Sequence, residues 1–337
     1  VSLALTILLA ACVAAIATRL AIPWLQCYGA VAHENARTMH RGAVPKGGGA
    51  LLLAAAGLAV FAAPTEMPAG DIGYVVLAGT LILAAVSWRD DVGHVPAWIR
   101  LPIHIAIALW FVLALPQEAR VFQGWLPFAA DRAIAAIALA WMMNLYNFMD
   151  GINAITGAET ISISIGYVLI ALLATHTLPF TPLAAALIGA SAGFLVWNAR
   201  TKPLVFLGDT GSVPLGFLMG VLMLDLAVRG YWAAALILPA YYFADASLTL
   251  LRRIANGERP WEAHKTHAYQ RAGETLGHLP VVARIVAANA VLIAAASLSL
   301  AQPLSAMLVA GLTVTILLAN LKTAAQPRSS DSDPSRP

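Results

Sequence analysis

Apolar residues in this chain come in blocks about 14 to 22 residues long, and that length decides what the chain folds into. A helix rises about 1.5 Å per residue, so each block spans or nearly spans the hydrocarbon core of a bilayer. A membrane β-barrel would instead show alternating segments of about ten residues. Charged residues make up 11% of the chain and hydrophobic residues 60%. A soluble domain carries roughly 25% charged residues. The sequence therefore predicts an all-α polytopic membrane protein.

Eleven helices are expected, at about 1–22, 50–64, 71–87, 101–116, 131–147, 155–175, 181–197, 212–228, 231–251, 281–300 and 303–321. The apolar start reads as a first span, because it lacks the basic front region and cleavage site of a removable leader. Cys12 and Cys27 imply no disulfide framework. Lys and Arg fall unevenly between the two sets of connections. One set holds Arg37, Arg41, Lys46, Arg89, Arg100, Arg200, Lys202, Arg252, Arg253, Arg259, Lys265 and Arg271; the other holds Arg120, Arg132 and Arg229. Positive charge is retained on the cytoplasmic side, so the N-terminus is expected in the periplasm and the C-terminus in the cytoplasm. Residues 1–322 are expected to form one transmembrane catalytic domain. The remainder, 323–337, is rich in Ser, Asp, Pro and Arg and reads as a disordered cytoplasmic tail.

Five polar segments interrupt the apolar blocks, all in the same set of connections. Asp90 and Asp91 end the third helix. Adjacent carboxylates repel, and a hard cation such as Mg²⁺ relieves that repulsion while binding substrate phosphates. On its own the pair also suits a solvated loop. Asn144, Asn147 and Asp150 recur at i, i+3 and i+6, so they share one face near a helix end, and Gly151 lets the chain turn. Amides and acids inside apolar sequence are expensive and point to function, or else to interhelical hydrogen bonding. Gly208-Asp209-Thr210-Gly211-Ser212 opens the eighth span. Small residues at a helix N-terminus suit a phosphate, and Asp, Thr and Ser are also good caps. Lys46-Gly47-Gly48-Gly49 precedes the second span and lets backbone approach a phosphate or another helix. His264 and His267 lie in the long loop beside Lys265 and Arg271. No cysteine or carboxylate joins them in a zinc pattern, and a basic loop with histidines suits a diphosphate. His33, Arg37 and His40 show no readable pattern.

Taken in this order, the five segments resemble the polyprenyl-phosphate N-acetylhexosamine-1-phosphate transferases, glycosyltransferase family 4. The resemblance covers the motifs from Lys46 to Arg271 and the topology of nearly the whole chain. It implies transfer of a sugar 1-phosphate from a UDP-N-acetylhexosamine to undecaprenyl phosphate, with release of UMP. It implies Mg²⁺ as cofactor, with Mn²⁺ as the alternative, and a multi-pass protein of the bacterial inner membrane whose site faces the cytoplasm. Membrane lipids and a second copy in a homodimer are the other implied partners; nucleic acid is not one. Asp90, Asp91 and Asp150 take catalytic roles under this resemblance, and Asp209 with Asp91 holds the metal. Lys46, Asn144, Asn147, Asn153, Gly211, Ser212, His264, His267 and Arg271 bind substrate. Asn153 stands where the family often has a second aspartate. The spaced histidines lack the adjacent run of the peptidoglycan enzyme and resemble the branch that initiates O-antigen. That branch takes UDP-GlcNAc or 6-deoxy sugars such as UDP-FucNAc and UDP-QuiNAc. The phospho-MurNAc-pentapeptide transferase of peptidoglycan synthesis is the alternative. A transporter fits less well, because its ionisable groups lie near the bilayer midplane. A CDP-alcohol phosphotransferase needs an Asp-Gly-x-x-Ala-Arg signature that this chain lacks.

Overall fold

A computed structural model describes residues 3–28, 31–32, 43–62, 71–174, 176–259 and 264–326. His33, Arg37, His40 and nearly all of the expected tail lie outside them. The helices are α1 (Leu3–Tyr28), α2 (Gly48–Ala62), α3 (Asp71–Val92), α4 (Ala97–Ala114), α5 (Phe128–Met149), α6 (Ile155–Leu173) and α7 (Thr181–Asn198). They continue as α8 (Asp209–Val228), α9 (Trp232–Ile237), α10 (Ala240–Ala255), α11 (Ala268–Leu276), α12 (His278–Leu298) and α13 (Pro303–Ala324). Among the described residues, nine of these helices are long and apolar enough to cross a membrane.

The other two expected spans differ for physical reasons. Helix α2 has 15 residues, which is about 22 Å and short of a bilayer core. The expected 231–251 span is two helices, because Pro239 has no N–H to donate and starts α10 as its cap residue. A further feature is absent from the sequence expectation. Val31–Ala32 and Val44–Pro45 form a short antiparallel ladder in the first loop.

Helix α8 is the centre of the bundle, and from Thr210 to Ala227 every residue is buried. It packs against α2, α3, α5, α6 and α9. Hydrogen bonds then join one end of the bundle. Phe206 donates its N–H to Pro45 O at 2.8 Å, and the N–H groups of Gly48 and Gly49 donate to Phe206 O and Leu207 O at 3.0 and 2.9 Å. The glycine run therefore serves close approach between chain segments. A Cβ on Gly49 would overlap the Gly211 backbone, and one on Gly48 would overlap Phe194.

Replacing Gly49 by alanine should push α2 away from α8 and cost about 1–3 kcal/mol of stability. The readout is the thermal midpoint of the detergent-solubilised protein. Gly57→Ala is the control, since a Cβ there meets nothing within 4 Å. Equal midpoints for the two variants would refute the packing argument.

Candidate active site

Helix α3 ends in Asp90 and Asp91, and the two side chains do different work. Asp91 is buried against the start of α8. Its Oδ1 accepts the Asp209 N–H at 3.2 Å, and its Oδ2 accepts the Thr210 N–H at 2.9 Å and the Thr210 hydroxyl at 2.7 Å. The first N–H groups of a helix have no partner within it and carry its positive dipole end, so a carboxylate is the natural acceptor. Lys46 Nζ adds charge at 3.7 Å from the same carboxylate. Gly208 has φ +74°, and a side chain there would run into Asp91. Only glycine combines that backbone with that clearance.

Asp90 turns toward α4. Its Oδ1 accepts the Val95 N–H at 2.7 Å, and its Oδ2 pairs with Arg100. The same Arg100 nitrogen lies 3.1 Å from Asp209 Oδ2. The Asp90 and Asp209 carboxylates are themselves within hydrogen-bonding reach. Two acids this close need a cation between them, and Arg100 provides it. The sequence expectation placed Arg100 only in the positive-inside count. Its one local signal is its place in the first turn of α4, where a cation opposes the helix dipole unless an acid pairs with it. The donor set is all oxygen, which fits a hard divalent cation. Among the described residues no group of three His, Cys, Asp or Glu side chains stands in a metal-holding arrangement.

Helix α5 brings its amides to the same region. Asn147 Nδ2 donates to Ser212 Oγ at 3.2 Å, joining α5 to α8. Asn144 Nδ2 donates to Ala140 O at 2.8 Å, and its side chain also bonds His104 of α4. Asp150 caps α5, and its Oδ1 accepts the Thr156 hydroxyl at 2.6 Å. Burial pushes its carboxyl up to about 8 against the Thr156 bond; the charges of Asp209 and Asp91 add to the rise, and Lys46 opposes it. The shift favours its protonated form. Asn153 is buried and donates Nδ2 to Arg200 O at 3.0 Å, so it fastens the loop after α7. Gly211 is buried against Leu207 and Gly49.

The histidine loop reaches this region through Tyr269. The Tyr269 hydroxyl donates to Phe148 O at 2.9 Å, and a Cβ on Gly151 would overlap both Tyr269 and Gln270. His267 is buried, with its ring stacked between His264 and Tyr269 at centroid distances of 5.0 and 5.6 Å. Its Nδ1 lies 3.5 Å from Asp245 Oδ1, close enough for an ion pair but not aligned for a hydrogen bond. Asp245 repeats the Asp91 arrangement. It accepts the N–H groups of Ala268 and Tyr269 at 3.1 and 3.4 Å and so seats the start of α11. Burial lowers the half-buried His264 imidazole to about 4, helped by the charges of His267 and Arg253. Arg271 is exposed and lines a pocket with Arg252 and Lys322; Asp90, Asp91 and Asp209 do not line that pocket.

The structure therefore gathers Lys46, Asp90, Asp91 and Asp209 around the start of α8, with Arg100 added and Asp150 sensing their charge. Asn147 and Ser212 adjoin them. Asn153 and Arg271 are directed elsewhere.

Removing the Asp91 carboxylate as Asp91→Ala should leave the α8 N-terminus unpaired and cost about 2 kcal/mol, read as a fall in thermal midpoint. An unchanged midpoint would refute that role. His264, neutral above about pH 4, should show no ring titration between pH 5 and 8 in a histidine-selective NMR series.

Residues 73–227, from α3 through α8, match the family model described as glycosyl transferase family 4. The chain is 22% identical over 260 residues to the "Probable undecaprenyl-phosphate N-acetylglucosaminyl 1-phosphate transferase" of Bacillus subtilis, covering 72% of this chain and 69% of that protein. It is 26% identical over 310 residues to the "Decaprenyl-phosphate N-acetylglucosaminephosphotransferase" of Mycolicibacterium smegmatis, covering 79% and 74%. It is 28% identical over 173 residues to the "Phospho-N-acetylmuramoyl-pentapeptide-transferase" of Chlamydia muridarum, covering 44% of this chain and 51% of that relative.

Proposed function

We propose that the chain is a member of glycosyl transferase family 4, which its match over residues 73–227 and its relatives support, and that it transfers an N-acetylhexosamine 1-phosphate from a UDP-sugar to undecaprenyl phosphate, releasing UMP. The observation that carries this reading is the Asp90–Arg100–Asp209 cluster beside the Asp91-bound start of α8. It puts paired acids and fixed cations at one point, which is what a diphosphate reaction needs.

In the proposed step a phosphate oxygen of the lipid attacks the β-phosphorus of the nucleotide sugar. The bond from that phosphorus to the bridging oxygen breaks, and the oxygen leaves with UMP. Asp90 accepts the proton of the lipid phosphate. Lys46 and Arg100 face the charge that gathers on the leaving phosphate. Asp209 is the carboxylate that would hold Mg²⁺ or Mn²⁺, and such an ion would supply positive charge to the diphosphate. Asp91, with both oxygens engaged by α8, acts by positioning Asp209. Asp150, in its protonated form, offers a hydrogen bond to a phosphate oxygen.

For the sugar, we favour UDP-GlcNAc or a 6-deoxy relative, in the initiation of O-antigen or a related surface polysaccharide. The longer overlaps with the two N-acetylglucosamine transferases and the spaced histidines support this. A second reading, transfer of phospho-MurNAc-pentapeptide, is favoured by the Chlamydia muridarum match. The Lys and Arg distribution supports a bacterial inner-membrane protein with this site toward the cytoplasm, where nucleotide sugars are found.

Purified protein with undecaprenyl phosphate and a panel of UDP-sugars should release UMP with at least one of them. Asp209→Asn should lower kcat by about 100-fold or more. Absence of UMP with every sugar would overturn the proposal. A near-normal rate in Asp209→Asn would overturn the role given to that residue.

A further inference from the structure

A pocket opens between α10, α11 and α13, apart from the Asp90 cluster. Arg252, Arg271 and Lys322 surround it, Thr249 adds a hydroxyl, and Leu248 and Leu318 form apolar walls. All three cations are exposed, and among the described residues none has an ion pair with an acid. Asp245 also lines the pocket, but its oxygens are engaged from inside by Tyr241, Thr249, Ala268 and Tyr269. Arg252 and Lys322 each lie in the last turn of a helix. The helix dipole accounts for either one there. It does not account for three cations from three helices converging on one cavity with apolar walls.

We propose that this pocket binds the phosphate of an anionic membrane phospholipid, as a site separate from sugar-phosphate transfer. The chemistry is that of a lipid-borne phosphate. The three cations meet the phosphate, while Leu248, half exposed, and Leu318 offer apolar walls to an acyl chain. Basic pockets between membrane helices at the interface recognise headgroups in this way, with each cation contributing a factor of about five in affinity. Occupancy ties α13 to the α10–α11 corner in which Asp245 holds the histidine loop.

The test uses the 337-residue chain purified in mild detergent, with retained phospholipid counted by native mass spectrometry after addition of phosphatidylglycerol or phosphatidylcholine. The wild type should retain phosphatidylglycerol in preference to phosphatidylcholine. The Arg252→Gln/Lys322→Gln variant should bind it about 25-fold more weakly. Arg252→Lys/Lys322→Arg should restore binding, and Arg200→Gln/Lys202→Gln should leave it unchanged. The KM for undecaprenyl phosphate should be the same in all four proteins. Loss of preference in the wild type, or equal retention by the Gln variant, overturns the proposal. So does a raised KM for undecaprenyl phosphate in that variant, which would assign the pocket to the acceptor substrate. Lipid retention is read without turnover, so failure here is distinguishable from failure of the proposed activity.

Discussion

The candidate site rests on one carboxylate placed against one helix end. A buried Asp91 is expensive unless its charge is answered, and three hydrogen bonds from Asp209 and Thr210 answer it, with Lys46 nearby. The same bonds supply acceptors to α8, whose first N–H groups would otherwise be orphaned in an apolar bundle. Two local problems are solved by one contact, and that contact fixes Asp209 beside Asp90. Asp245 and the start of α11 repeat the arrangement at the histidine loop. The loop is thereby held by its backbone, which leaves the His267 ring stacked between His264 and Tyr269.

Much of this was legible in the sequence. Block length alone predicted the membrane helices, and four of the five polar segments meet around the first residues of α8. Other features were not legible, because they depend on pairings between distant positions. Asp91 and Thr210 are 119 residues apart, and no local pattern announces their contact. Arg100 looked like one more cytoplasmic anchor until α4 brought it between Asp90 and Asp209. The glycines after Lys46 suited either a phosphate or a neighbouring helix, and the contact with Gly211 favours the helix. Asn144 and Asn153 show why amides are ambiguous inside apolar sequence. One bonds its own helix and His104, the other a loop carbonyl, and both uses leave the same trace in a sequence.

A buried polar path also leads from the site into the bundle. Thr156, which bonds Asp150, lies within 3.4 Å of the Tyr242 hydroxyl. Deeper in α6, Glu159 accepts from Asn289 of α12 at 2.7 Å. The sequence expectation gave Glu159 no role. In a membrane an acid of this kind joins helices, because lipid offers its partners no other hydrogen bond. Helix α6 is thus fastened to α12 by a polar contact and to the site through its first turn.

The burial of α8 reaches beyond the finished molecule to the order in which it is made. Chains enter the membrane from the N-terminus onward, so α1 through α7 arrive before the helix that fills their centre. Those seven helices cannot close on one another in their final arrangement without α8, since α2, α3, α5 and α6 all pack on it. The early bundle must therefore keep a groove open, or reopen one, until residue 209 and its successors enter. Biogenesis of this protein is in that sense an insertion into a half-built assembly, and the docking of α8 onto Asp91 fills its centre before α9 to α13 follow.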